Sequence, residues 1–589
     1  MANVLGRTVT HRYLYARSWS LGDRKSPAAT TPCLIRLADD VEMPHQVAPF
    51  TALSNEEIPQ TLTIQSNLPL SPPEFNEKSP LFTAKVGHVL PPSLDEADAG
   101  EPAGNGGLLP ISWQRLNHDK SLTELTEEPS IIVLVDAVQL ASQPRKLIDA
   151  LVTIKHRFPG ALVWTPGLGG PDNAAVLTWF GVDLFDLSRS RQCAAVDVLL
   201  TGSGPRDLIS NESAGMNSQL LHWELALNDI KSHLANGSLR TLVEQQSLNS
   251  PKLVEHLRYH DDLTGDKTDV GISHVGKNAI LHCNSHESLN NPIVTAWVDF
   301  MMEQYQPPAD LDKVLVLLPC SARKPYRMSK SHRKFLQAIG NTAFHEVMVT
   351  SPLGLVPRDL EETWPASHYD IPVTGRWSKD EILRTEMMLK SLIESNQYHT
   401  VINHSSMEFD IQGIDYFHTS KGHKPTSKEA IENLSRAVTS IQEIHNYRNR
   451  KHHKILTDNF KSVARYKMKN DDWLNDIAIK GKPPYWRLEC NGTQIALWSN
   501  DRRGFSLAKS SIPILAENKS LKEIVIKSEI EWKGDVFTGI VENFDDGIIS
   551  GDDLLVIQNS LPIGLARATA SGWEWSTTPG MVAKAHQRL

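Results

Sequence analysis

Paired cysteines are missing from this sequence. Its 589 residues include five cysteines, at 33, 193, 283, 320 and 490. They are odd in number, widely spaced and without a Cys-x-x-Cys pair, which excludes a disulfide framework and points to a reducing compartment, by default the cytoplasm. Long apolar runs are missing too. No stretch of 18 apolar residues occurs, and the first thirty residues, broken by His11-Arg12-Tyr13 and Arg24-Lys25, lack the apolar core of a signal peptide, so no membrane insertion is expected. Nor is there an excess of positive charge. A net charge of -9 excludes a polycation that coats nucleic acid, and any RNA site must be local. At 40% hydrophobic and 22% charged residues the composition is that of an ordinary folded chain. The length predicts about three to five domains.

One stretch lacks carboxylates altogether. Leu317 to Phe335, LLPCSARKPYRMSKSHRKF, holds a thiol (Cys320), a phenol (Tyr326), an imidazole (His332) and six cations: Arg323, Lys324, Arg327, Lys330, Arg333 and Lys334. The aliphatic run Val314 to Leu318, ended by Pro319, predicts a strand buried on both faces of an α/β sheet. Cys320 then falls just past the strand's carboxyl end, the edge where open α/β sheets bind ligands. Two more strands, Glu346 to Thr350 and Thr400 to Asn403, end in Ser351-Pro352-Leu353-Gly354 and His404-Ser405-Ser406. A single parallel sheet would bring all three clusters to one crevice. Ser378 with Glu381 forms a capping box that opens a helix, and Thr426 with Glu429 opens another. For Cys320 itself the residues leave two readings, a nucleophile or a small buried hydrophobe.

Upstream, to about Tyr305, strands alternate with helices around a segment rich in Pro, Gly and acid, Pro91 to Gly107, expected to be a surface insertion or disordered. Ile131 to Val135, the helical face Leu147, Leu151, Ile154 and Phe158, and Ala161 to Trp164 make a βαβ unit. With the helix Val176 to Phe180 and the strand GVDLFD (Gly181 to Asp186), the repetition favours a (β/α) barrel. Asp186 at a strand end reads either as a nucleophile or as the cap of the next helix. Downstream, Arg448 to Lys469 is a basic run with one acid, Asp458, and interleaved Tyr447, His452, His453 and Tyr466. It reads as an RNA-phosphate contact or as a solvated linker helix. Hairpins follow Ile479, and the last ~75 residues read as a small β-barrel.

The blocks PCSARKPYRMSKSH (Pro319 to His332), SPLGLVPRDLE (Ser351 to Glu361) and YDIPVTGRW (Tyr369 to Trp377) resemble the signature of the archaeosine synthases, archaeal paralogues of tRNA-guanine transglycosylase. The flanks GVDLFD, HESLNNPIV (His286 to Val294), IKGKPPYWRL (Ile479 to Leu488) and the terminal GDVFTGIV and DGIISGDDLLVI resemble that family's barrel, next module and PUA domain. The resemblance implies an α/β multidomain chain: a degenerate transglycosylase-like barrel over 1–305, an α/β parallel-sheet core over 306–447, a basic linker with a small α+β module over 448–513, and a PUA RNA-binding domain over 514–589. It also implies tRNA modification, in which L-lysine adds to the nitrile of 7-cyano-7-deazaguanine in the tRNA D-loop and a radical-SAM partner cleaves the resulting amidine. A homodimer is left open.

Asp186 matches the transglycosylase nucleophile, but no DSGGFQ-like segment supplies a second aspartate. The zinc set is absent as well. His282, Cys283, His286 and the upstream His274 stand where a CxCxxC triplet and a His are wanted, so no metal or other cofactor is expected. A nitrile accepts a thiolate, and Arg323 and Lys324 are expected to favour that form at Cys320. Lys324, Tyr326, His332 and Asp370 are candidates for moving protons. Pro319, Ser321, Ser329, Ser351, Gly354, Tyr369, Thr374, Gly375 and His404 are the expected substrate contacts, with Arg358 a candidate clamp for the lysine carboxylate. Arg323, Arg327, Arg333, Arg448, Arg450, Lys451 and Lys454 are the expected RNA contacts, and Lys324 could instead pin a phosphate. Two rival readings stay open: base exchange by Asp186, and a tRNA-binding subunit without catalysis.

Overall fold

The computed structural model describes residues 6–22, 26–37, 40–52, 62–64, 108–123, 125, 129–143, 145–265, 279–373, 375–483, 485–499, 503–575 and 580–589. Pro91 to Gly107 and Thr374 lie outside them. The chain divides into two compact units, residues 1–270 with 537–539 and 570–582, and residues 271–536 with 540–569 and 583–589. Among the described residues no helix is long and apolar enough to cross a membrane.

The first unit holds a seven-stranded parallel sheet. Cys33–Leu37, Phe50–Ala52 and Leu62–Ile64 pair in chain order, as do Leu108–Ile111, Ile131–Leu134, Leu162–Trp164 and Leu184–Phe185. The last strand then pairs with Cys33–Leu37. This is the cyclic order of a barrel-like sheet, unpaired among the described residues only between Leu62–Ile64 and Leu108–Ile111. Cys33, Ile35, Val133, Leu162, Trp164 and Leu184 are all inaccessible to solvent. Helix Lys146–Arg157 buries Leu147, Leu151 and Ile154, as its spacing predicts. The strand expected over Gly181 to Asp186 contracts to Leu184–Phe185. Asp183 accepts from Lys155 Nζ at 2.8 Å, Trp19 Nε1 at 3.0 Å and the Val163 amide at 2.9 Å with its side chain, while its main chain still bonds to Val163 and Cys33 on either side.

The second unit is built on a five-stranded sheet in the order Gly354–Pro357, His345–Thr350, Val314–Pro319, Thr400–Asn403, Asp415–His418. Every pairing is parallel except that of Gly354–Pro357. All five residues of Val314 to Leu318 have no exposed surface. Burying each such side chain contributes about 1.5–3 kcal/mol, which is why this strand takes the centre. Helix Lys379–Glu394 starts at the expected Ser378–Glu381 capping box. The next helix, Lys428–Ile444, is capped by Ser427, whose hydroxyl accepts from the Ala430 amide at 3.2 Å, and not by Thr426. The cap must sit three residues before the amide that it satisfies.

Two smaller sheets complete the unit. Ile477–Lys482, Tyr485–Cys490, Thr493–Ser499 and Gly504–Leu507 form an antiparallel meander. Phe460, from helix His452–Met468, packs on its Trp498 at 5.7 Å between ring centroids. A six-stranded mixed sheet follows, in the order Val536–Phe537, Met581–Arg588, Leu561–Ala568, Asp553–Gln558, Lys522–Ile526, Val541–Phe544.

Candidate functional site

The parallel register of Val314–Pro319, His345–Thr350 and Thr400–Asn403 carries Cys320, Ser351 and His404 past the same edge of the sheet. Of these three ends the first is the one that remains chemically open. Cys320 is partly exposed. Burial pushes its thiol up, and the pull of Lys324 and of a hydrogen bond from Thr350 in the other direction does not overcome it. The expected cation-stabilised thiolate is thereby corrected to a resting thiol, because removing a charge from water here costs more than one nearby ammonium returns.

Around Cys320 lie hydroxyls and one amine. Tyr326 is fully buried and donates to Thr350 Oγ1 at 3.2 Å. Tyr369 is hydrogen-bonded to both Tyr326 and Thr350. Lys324 Nζ sits 3.9 Å from the centroid of the Tyr369 ring. Burial lowers its pKa, against the attraction of Cys320, Asp370 and Cys283. Asp370 is exposed, and its main-chain oxygen accepts from the Cys283 amide at 2.9 Å. Thr350 and Cys283 were not foreseen. Thr350 is the last residue of its strand, so the edge argument that singled out Ser351 applied to it equally.

His332 is buried, and both ring nitrogens are engaged: Nε2 with the Pro319 carbonyl at 3.0 Å and Nδ1 with the Arg358 guanidinium at 3.1 Å. Burial and Arg358 lower its pKa to about 3. The ring is therefore neutral, with the proton on Nε2, and fixes the Pro319 carbonyl at the strand end instead of offering a nitrogen to substrate. Arg358 is committed as well, with Nε and one terminal nitrogen on Glu346 at 3.0 and 2.8 Å and the other on Glu361 at 2.9 Å. Arg327 Nε donates to Glu361 at 2.6 Å. Glu361 is fully buried. Desolvation alone would raise its pKa, but Arg358 and Arg327 outweigh that and lower it. The carboxylate clamp assigned to Arg358 and the phosphate contact assigned to Arg327 are thus replaced by a Glu346–Arg358–Glu361–Arg327 network centred on the buried Glu361. Arg327 comes from a stretch without an acid of its own and takes its partners, Glu361 and Glu362, from further along the chain.

Other expected contacts also hold the scaffold. Ser329 caps helix Lys330–Ile339 by accepting from the His332 amide at 3.1 Å. Ser351 donates to Glu381. Gly354 has φ +69°, and a Cβ there would meet Met388 Sδ at 2.3 Å, so the glycine admits helix Lys379–Glu394 rather than a ligand. His404 is buried between Thr419 Oγ1 at 2.8 Å and the Pro425 carbonyl at 2.9 Å, and burial lowers its pKa to about 4. Ser321 donates to the Arg323 carbonyl at 3.0 Å within the loop. Gly375 is exposed with φ +70° and open space around it.

The basic run divides. Arg450 pairs with Asp458, and Lys454 Nζ with Asp310 at 2.5 Å, whereas Arg448 and Lys451 are exposed, as are Arg323 and Arg333. In the barrel-like sheet Asp186 is buried. Its Oδ2 accepts from Trp164 Nε1 and the Gly167 amide, each at 3.0 Å, and its Oδ1 accepts from the Ser188 amide at 2.8 Å. These bonds tie the strand end to the first residue of helix Ser188–Ala194, although the cap position itself is Leu187. No group of three or more His, Cys, Asp or Glu able to hold a metal occurs among the described residues. His274 lies outside them, and His286 Nε2 is 3.2 Å from Asp380.

A thiol, an amine and three linked hydroxyls thus gather beyond the carboxyl edge of the central parallel strands. Residues 294–438 match a family model described as a domain of unknown function (DUF5591), and this span includes Cys320, Lys324, Tyr326, Thr350, Tyr369 and Asp370 but not Cys283. The chain is 27% identical to the archaeosine synthase subunit alpha of Methanosarcina acetivorans over 94% of this chain and 92% of that one. It is 27% identical to its namesake from Thermoplasma acidophilum over 82% and 94%, and 29% identical to the archaeosine synthase of Methanocaldococcus jannaschii over 79% and 80%. The chain is similar to the archaeosine synthases over most of its length, as its motifs predict.

Proposed function

We propose that this protein is a tRNA-modifying enzyme of archaeosine biosynthesis that adds L-lysine to the nitrile of 7-cyano-7-deazaguanine in tRNA. The observation that carries this reading is Cys320 at the open end of the central strand, with Lys324 and the Thr350–Tyr326–Tyr369 hydroxyls against it. The resting thiol gives up its proton as its sulfur attacks, because the thiolate is the nucleophile. The sulfur bonds to the nitrile carbon and that proton reaches the nitrile nitrogen, giving a thioimidate. The lysine amine then bonds to the same carbon, the C–S bond breaks, and the amine proton returns to sulfur, leaving the amidine. Thr350, hydrogen-bonded to the Cys320 thiol, is the group that can pass that proton, with Lys324 also at the thiol and Asp370 beside Lys324. His332 and Arg358 hold the loop. The terminal six-stranded sheet is read as the PUA-type RNA-binding module, and a radical-SAM enzyme as the consumer of the amidine. Mass spectrometry of nucleosides from cyano-deazaguanine tRNA incubated with the protein and isotopically labelled lysine tests the reading. A lysine-labelled nucleoside is expected, and an unlabelled, unchanged base would overturn it.

A further inference from the structure

The antiparallel meander has two unlike faces, and they follow from its register. Lys480 pairs with Arg487 and Arg487 with Leu497, and Lys482 pairs with Tyr485. Residues directly opposite in an antiparallel ladder share a face, so these five lie on one side. The alternate positions, Leu488, Ala496, Trp498 and Phe505, are buried on the other side with Phe460 and Trp473. The outward face is not the polar surface that a one-sided sheet usually shows water. Tyr485 is 58% exposed and Leu497 41% exposed, and they stand among three cations, Lys480, Lys482 and Arg487. Among the described residues the acid on this face is Glu489, itself buried, which receives Lys480 at 2.6 Å and Arg487 at 2.7 Å and so holds both cations flat against the strands. In a chain of net charge -9 this local excess of positive charge around an exposed ring has a complement of definite chemistry. Phosphates suit the cations, and an unpaired base suits the ring.

We propose that this face, centred on Tyr485, is a binding platform for single-stranded or looped RNA, separate from the Cys320 crevice. Tyr485 and Leu497 take an unstacked base, and Lys480, Lys482 and Arg487 take the adjoining phosphates. The proposal rests on the reading of tRNA as the substrate. It is tested by titrating the full-length protein with a tRNA transcript at several salt concentrations, for wild type, Tyr485→Ala and Lys482→Gln. Both side chains are exposed, and thermal melts check that the variants fold. The expected result is an affinity about tenfold lower for Tyr485→Ala, and for Lys482→Gln a salt slope smaller by nearly one unit. Ultraviolet crosslinking should place tRNA on the peptide that contains Tyr485. Wild type that does not bind tRNA would defeat the functional reading itself. Variants that bind with unchanged affinity and slope would overturn the platform alone, and a change in oligomeric state with intact tRNA binding would reassign the face to a protein contact.

Discussion

Each unit of this chain has a parallel sheet that ends in a polar residue of catalytic type, and the two residues meet opposite fates. Asp186 leaves the barrel-like sheet with both oxygens committed, to Trp164, Gly167 and Ser188. Cys320 leaves the five-stranded sheet partly exposed, in reach of Thr350 and Lys324. Position at a carboxyl edge is therefore common to both, and unspent bonding capacity is what separates them. The same test sorts the residues around Cys320. His332, Arg358 and Ser329 carry reactive groups but are fully engaged by the protein, whereas Lys324 and Thr350 act on the thiol.

The largest effect that would break this contrast is at Cys320. Cys320→Ala should lower labelled-lysine incorporation by about a thousandfold or more, the scale of losing a nucleophile, with an unchanged melting temperature. An active variant would make the thiol a space-filler. Next, Glu361→Gln leaves Arg358 and Arg327 without their shared buried acid. A loss of about 3–5 kcal/mol is expected in denaturant unfolding, and a loss below about 1 kcal/mol would show that Glu346 on Arg358 and Glu362, 3.1 Å from Arg327, suffice. Asp186→Ala strands three N–H donors and should cost about 3 kcal/mol of stability while lysine addition stays within a fewfold of wild type; loss of activity in a stable protein would return Asp186 to the chemistry.

Two smaller effects sharpen the account by pH. Alkylation of Cys320 in the free enzyme should rise through a midpoint above the ~8.5 of free cysteine, since its pKa is raised. Lys324→Met should move that midpoint further up, and a midpoint below free cysteine would restore the thiolate. His332 and His404 have folded-state pKa values lowered to about 3 and about 4, below the ~6.5 of an unfolded histidine. Their contribution to stability is whole above pH ~6.5 and is lost as pH falls toward those folded values. Melting temperatures between pH 7 and 4.5 should therefore decline less steeply in His332→Gln than in wild type, and parallel profiles would reject the assignment.

Much of this was legible in the sequence, because it depended on neighbours along the chain. The run Val314 to Leu318 could only be a buried strand, Pro319 could only end it, and Ser378 with Glu381 wrote a helix start that the structure reproduces. The motif blocks likewise pointed to the archaeosine synthases. Only the tertiary structure decided which reactive side chains stay available. Glu346 and Glu361 neutralise arginines that look like ligand clamps, Met388 fills the space beside Gly354, and Asp310 reaches Lys454 from 144 positions away in number. Chain order sets local hydrogen bonding and periodicity. Desolvation and ion pairing depend instead on distances through space, and those arise when the sheets and helices pack.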